Sequence, residues 1–200
     1  MESTTAVVVL IFVITIFQSL GANKGFTPPV QVSNPPAPVI INTGLVGSTY
    51  LTAGDPARKP IEQYILHYRK PAEAVPITDA IMSYSKQYDV NPKLVAALMR
   101  RESGFNPRAV SSSGACGLGQ LLPSTCQSTG VTSPFDINDN TKGTVRYLKY
   151  LLDRFKAYNN QVAYALAGYL EGPNQVERNK AYSSKTGEYV RDIIDIYNKI

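Results

Sequence analysis

Few residues in this 200-residue chain are equipped for catalysis, and their types narrow the chemistry. There is one histidine, His67, and there are two cysteines, Cys116 and Cys126. So small a set of imidazole and thiol ligands argues against a zinc centre, and the H-E-x-x-H pattern is absent. A Ser-His-Asp triad would have to recruit His67 from a proline-interrupted stretch. Neither a Walker lysine loop nor a G-x-G-x-x-G turn occurs, so nucleotide chemistry has no handle. Any catalysis must then run on carboxylates and hydrogen bonds, and no metal or cofactor is expected. Lys and Arg total 20 against 15 Asp and Glu, a formal charge of +5. That suits an anionic polymer or surface and is too weak to argue for nucleic acid as a partner.

One carboxylate stands out. Glu102 follows Leu98 by four residues, Leu94 by eight and Met99 by three, so helical spacing puts its carboxyl on an apolar face. It also precedes Ser103-Gly104, a helix end where the backbone dipole is negative. Burial and the dipole both disfavour the charged form and raise the pKa. An acid that keeps its proton near neutral pH is what cleavage of a glycosidic bond requires. Spacing alone leaves another reading open, an ion pair with Arg100, Arg101 or Arg108.

The elements that must position this acid follow from periodicity. Ile77, Ala80, Ile81, Tyr84 and Tyr88 recur at steps of three and four, and Asn91-Pro92 supplies a cap and a first-turn proline. Further stripes are Leu94, Val95, Leu98 and Met99; Val145, Leu148, Leu151, Leu152 and Phe155; Val162, Ala165, Leu166 and Tyr169; and Val190, Ile193, Ile194 and Tyr197. Gly and Pro punctuate between them. The expectation is a compact all-α domain over residues 77–200. Residues 23–76 hold nine of the 14 prolines and read as an extended linker, with Ile61 to Tyr68 as a short segment able to dock on the domain. His67 is expected to be an ordinary polar residue. Residues 1–22 contain the uncharged run AVVVLIFVITIF. Two readings are open for them: a membrane anchor over residues 6–22, or a signal peptide cut after the small residues Ser19 and Gly21. The leader MESTT, without Lys or Arg, favours the anchor.

The residues after Glu102 add a second kind of information. The stretch Glu102-Ser103-Gly104-Phe105-Asn106-Pro107-Arg108-Ala109-Val110-Ser111-Ser112-Ser113-Gly114-Ala115-Cys116-Gly117-Leu118-Gly119-Gln120-Leu121-Leu122-Pro123-Ser124-Thr125 fits the pattern E-S-x-F-x-P-x-A-x-S-x-x-G-A-x-G-L-x-Q-x-x-P-x-T at every fixed position. It resembles the signature of the soluble-type (SLT) lytic transglycosylases, a family with a goose-lysozyme-like fold. The resemblance continues at Asp136, Asn140, Gly143, Tyr147 and Leu148, at Ala165 to Tyr169, at Gly172-Pro173, and at Thr186, Tyr189 and Val190. It implies a helical lysozyme-like domain acting on the glycan strands of bacterial peptidoglycan. The bond cut would be the β-1,4 link from N-acetylmuramic acid to N-acetylglucosamine. Glu102 would protonate the leaving oxygen and then help the muramyl C6 hydroxyl close onto C1, giving a 1,6-anhydro end without water. Glycosidases of the usual two types need a second carboxylate; the motif offers none at a matched position.

The resemblance also implies a substrate-binding set of Ser111, Gln120, Tyr169, Gly117 and Leu122. For Gly117 there is a backbone reason, since glycine tolerates positive φ and lets the chain approach a sugar; turn geometry alone is the other reading. Where the family commonly has Y-N-A-G-P, this chain has Tyr169-Leu170-Glu171-Gly172-Pro173. The amide is lost, and Glu171 is a new carboxylate. Facing Glu102 across a cleft, it would activate water and make the protein a hydrolytic muramidase. A non-catalytic glycan-binding assembly module is the further alternative. Lys185 stands where the family often has an acid. Cys116 and Cys126 are either a disulfide or two separate small core residues. The expected setting is a membrane-anchored domain facing the periplasm or cell wall, or a secreted one if the N-terminus is cut. It would open the wall locally for a phage virion or for an envelope-spanning secretion or conjugation complex.

Overall fold

The computed structural model describes residues 55–200, so the hydrophobic segment 1–22 and the first part of the proline-rich stretch lie outside the described residues. Eight helices follow in order: α1 Arg58–Leu66, α2 Pro71–Tyr88, α3 Pro92–Ser103, α4 Pro123–Thr129, α5 Ile137–Arg154, α6 Gln161–Glu171, α7 Pro173–Asn179 and α8 Ser184–Lys199. Among the described residues there is no strand, only isolated antiparallel bridges from Cys116 to Val110 and to Leu121. The all-α expectation holds.

The chemistry of the ends explains the boundaries. Pro71, Pro92, Pro123 and Pro173 each open a helix, where the missing N–H has no intrahelical partner to lose. Asn91, Asp136, Asn160 and Ser183 cap α3, α5, α6 and α8 with side-chain oxygens on backbone N–H groups. Gly104 closes α3 in the left-handed region at φ 59°.

The domain starts earlier than residue 77. Residues 58–66 and 71–76, expected as linker, belong to α1 and α2. Pro60 is the third residue of α1 and Pro71 the first of α2, so neither breaks a helical hydrogen bond; Pro76, inside α2, gives up one. Ile61 and Ile65 are fully buried in the same core as Ile77, Ile81, Leu98 and Phe105. His67 lies exposed, its Nδ1 2.7 Å from the carbonyl of Gln63 on the preceding turn.

α3 is the buried element: residues Leu94 to Met99 are all buried. α8 packs along α3, α2 runs against α5, and α6 lies between α5 and α8. α1 packs on α2 and sets Tyr64 and Tyr68 against Phe105, with ring centroids 6.4 and 6.2 Å away. Arg69 adds two hydrogen bonds to the carbonyl of Gly104, at 3.2 and 3.0 Å. The turn that ends α3 is thus held from outside by the segment before α2. No helix among the described residues is long and apolar enough to cross a membrane.

Candidate active site

Glu102 is the penultimate residue of α3, half-buried, on the side that meets α8. The phenol of Tyr189, from α8, donates a hydrogen bond to its Oε1. Burial is the dominant influence on the acid and pushes its pKa up to about 7; the Tyr189 hydrogen bond and the charge of Arg101 pull the other way. The ion-pair reading is not realised. Arg101 pairs with Asp192 of α8 at 3.0 Å, and its guanidinium lies 5.3 Å from the Tyr189 ring centroid. Arg100 lies over the Tyr68 ring at 4.0 Å.

Tyr169, in the last turn of α6, donates to the carbonyl of Gly119 at 2.6 Å. Burial raises its pKa well above the ordinary phenol value, and the Glu102 carboxylate raises it further. The same two influences act on Tyr189. The Tyr189 phenol thus sits on the acid itself, while the Tyr169 phenol is tied to the glycine-rich segment and feels the acid's charge. Ser103 fastens the end of α3 to the glycine-rich segment, donating to the carbonyl of Leu118 at 2.8 Å.

That segment is shaped by its small residues. Gly117 sits at φ 75°, and a Cβ there would come within 2.2 Å of the Pro134 carbonyl and 2.3 Å of Asn140 Nδ2. Asn140 fills the space left by the missing side chain. Its amide nitrogen donates to the carbonyls of Cys116 and Pro134, at 3.0 and 2.8 Å, and its oxygen accepts from Gly119 N at 2.9 Å. A Cβ on Gly119 would meet Thr144 Oγ1 at 2.0 Å. Gly117 is therefore needed for packing against Pro134 and Asn140. Gln120 holds the left-handed region at φ 49° although it is not glycine, and its amide nitrogen donates to the carbonyls of Ala109 and Gly117 at 3.2 and 2.9 Å. Strain of this kind persists where the surroundings over-determine it.

The other expected residues fall further along the same segment. The Ser111 hydroxyl is 2.9 Å from that of Ser113 and accepts from Ala115 N at 3.0 Å, knitting residues 111–115 together. Leu122 is half-buried and precedes the first residue of α4. Cys116 and Cys126 are half-buried free thiols, and both line a cavity of about 500 Å³ with Leu121, Pro123 and Val131. Burial raises the Cys126 thiol, and the neighbouring Cys116 adds to the rise. Glu171 ends α6 and accepts from Ser183 N at 3.1 Å, Ser183 Oγ at 2.8 Å and the Thr186 hydroxyl, all through Oε1.

Tyr189 is the residue of the site that sequence reasoning did not bring to Glu102. It sits 87 residues away, and its position in the closing helix was the only signal.

Fold and site together define a lysozyme-like helical domain built around a single shielded acid. Comparison with known proteins gives the family: the Transglycosylase SLT domain matches residues 79–191, and the chain belongs to it. A transglycosylase of Enterobacteria phage PRD1 is 37% identical over 115 residues, which is 58% of this chain and 42% of that protein. The membrane-bound lytic murein transglycosylase F of Vibrio cholerae is 35% identical over 95 residues, 46% of this chain and 18% of that one. The chain thus spans less than half the length of these relatives. Among solved structures, the 70 kDa soluble lytic transglycosylase of Escherichia coli superposes with a TM-score of 0.53 at 20% identity, over 72% of this chain and 29% of its own. An inactive mutant of lytic transglycosylase Slt from Pseudomonas aeruginosa gives 0.52 at 21%, over 60% and 23%. These two likenesses support the fold.

Proposed function

We propose that the domain is a peptidoglycan lytic transglycosylase that cleaves the β-1,4 bond after N-acetylmuramic acid and leaves a 1,6-anhydro end. The observation that carries this reading is the placement of Glu102, shielded near the end of α3 with the Tyr189 phenol on its carboxyl. Its pKa of about 7 leaves a large fraction protonated at neutral pH, and Tyr189 orients the carboxyl. In the first half of the reaction Glu102 gives its proton to the glycosidic oxygen as the bond to C1 breaks. In the second half the carboxylate takes the proton of the muramyl C6 hydroxyl as that oxygen bonds to C1. The proton count closes, and no water is consumed. Gln120, Ser111 and Tyr169 are the proposed substrate contacts. Gln120 and Ser111 carry polar atoms on the segment that follows the acid, and the Tyr169 hydroxyl is tied to that segment at the Gly119 carbonyl.

Two observations favour this over the alternatives. A hydrolytic muramidase would use Glu171 to activate water, but its Oε1 already accepts three hydrogen bonds from the start of α8. A pure binding module has no need of an acid held near neutral pKa. The anchor over residues 6–22 would tether the domain to a membrane facing the cell wall, for local opening of the wall. The phage relative favours phage entry; a secretion or conjugation complex is the other setting.

The test is digestion of purified peptidoglycan by the full chain, with products weighed by mass spectrometry. Anhydro-muropeptides are expected. Products one water heavier would establish a muramidase, and no release of products would establish a binding module.

A further inference from the structure

Glu171 poses a physical question. It is the last residue of α6, where the helix dipole presents its negative end and a carboxylate is disfavoured. The compensation comes from the opposite end of another helix. Ser183 is the N-cap of α8; its hydroxyl accepts from Thr186 N at 3.2 Å and donates to Glu171. Ser183 N and the Thr186 hydroxyl donate to the same carboxylate oxygen. One negative charge therefore bridges the C-terminus of α6 and the N-terminus of α8, where it is favoured.

Of the two helices so joined, α8 brings the Tyr189 phenol to Glu102 and α6 ties the Tyr169 phenol to the Gly119 carbonyl. Tyr169 is two residues before Glu171 on the last turn of α6, and Tyr189 is three residues after Thr186, about 4.5 Å further along α8. A helical turn is stiff, so fixing Thr186 fixes Tyr189. We propose that Glu171 is a positioning residue: by clamping Ser183 and Thr186 it holds α8 in the register that keeps the Tyr189 phenol on Glu102. The groups around Glu102 that bear on its proton are Tyr189 and Tyr169 from the facing helices and Arg101 on its own helix, the last paired with Asp192.

This inference rests on Glu102 being the acid of the proposed reaction, but its test separates the two. The full chain, labelled with ¹³C at glutamate carboxyls, is titrated by NMR as wild type, Glu171→Ala, Tyr189→Phe and the double variant, with kcat on peptidoglycan measured alongside. Losing the phenol removes a hydrogen bond that favours the charged acid, so Glu102 titrates at higher pH. Both single variants should shift its midpoint upward by a similar amount, at least about half a unit, and lower kcat about tenfold or more as the acid loses its alignment. The double variant should shift no further, because both changes break the same contact. An unmoved midpoint in Glu171→Ala, or shifts that add, would overturn the proposal. If Glu171→Ala does not fold, Thr186→Val, which removes one donor of the clamp, is read in the same cycle with the same two outcomes. A coupled shift in a protein that releases no glycan products would leave the clamp standing and sink the enzymatic reading.

Discussion

At the scale of single residues, the raised pKa of Glu102 has a cost for the fold. The folded protein holds this proton more tightly than the unfolded chain does, so the contribution to stability is complete below the unfolded carboxyl value and is lost as pH rises through about 7. Replacing the acid with Gln removes the group that must ionise while shielded. Glu102→Gln is therefore expected to be more stable than wild type at pH 8, by at most about 3 kcal/mol, with the difference shrinking toward pH 4. Urea unfolding of both proteins at the two pH values measures it. Stability gained by removing a functional group is the usual mark of an active site. The acid itself was legible in the sequence, because Leu94, Leu98 and Met99 fix the face on which residue 102 must lie. Its partner was not: nothing local pairs Tyr189 with a residue 87 positions earlier, and only the packing of α8 on α3 does so.

At the scale of elements, the short α1 does more than extend the chain. Ile61 and Ile65 are buried, and Tyr64, Tyr68 and Arg69 brace the Phe105 turn directly behind the acid. Ile65→Ala should cost about 2–5 kcal/mol in urea unfolding of the full chain, the range for emptying a core site of this size. The glycine-rich segment is tested by Gly117→Ala. Left-handed φ and a Cβ overlapping the Pro134 carbonyl and the Asn140 amide should together destabilise by about 1–3 kcal/mol, read as a lower midpoint. Most helices were readable from their apolar stripes, and α1 only as a docking segment. The boundary at residue 77 was too late because prolines were read as breakers. Pro60 and Pro71 stand in first turns, where proline is tolerated, and the helix around Pro60 is held by the burial of Ile61 and Ile65 after it.

At the scale of the whole molecule, two helices meet at one carboxyl and a third secures the segment that follows it. α3 carries it, α8 supplies the phenol that holds it, and α6 supplies the tyrosine that ties the glycine-rich segment alongside. The fold class followed from periodicity, and the family from a motif with unbroken spacing that the match to residues 79–191 bears out. The clamp at Glu171 was out of reach of the sequence, because a carboxylate near Tyr169 reads equally well as a second catalytic group. Its three donors come from the cap of another helix, and only the folded arrangement assigns it there.

Glu102 acts, on this reading, as a proton donor from its uncharged form. The most direct measurement is the rate of peptidoglycan cleavage against pH for wild type and Glu102→Gln. The wild-type rate is expected to fall as pH rises through about 7, and the variant to be at least about a hundredfold slower with that limb gone, while both still bind glycan. Cleavage by Glu102→Gln at the wild-type rate, or a wild-type limb at the ordinary carboxylate pKa, would contradict it.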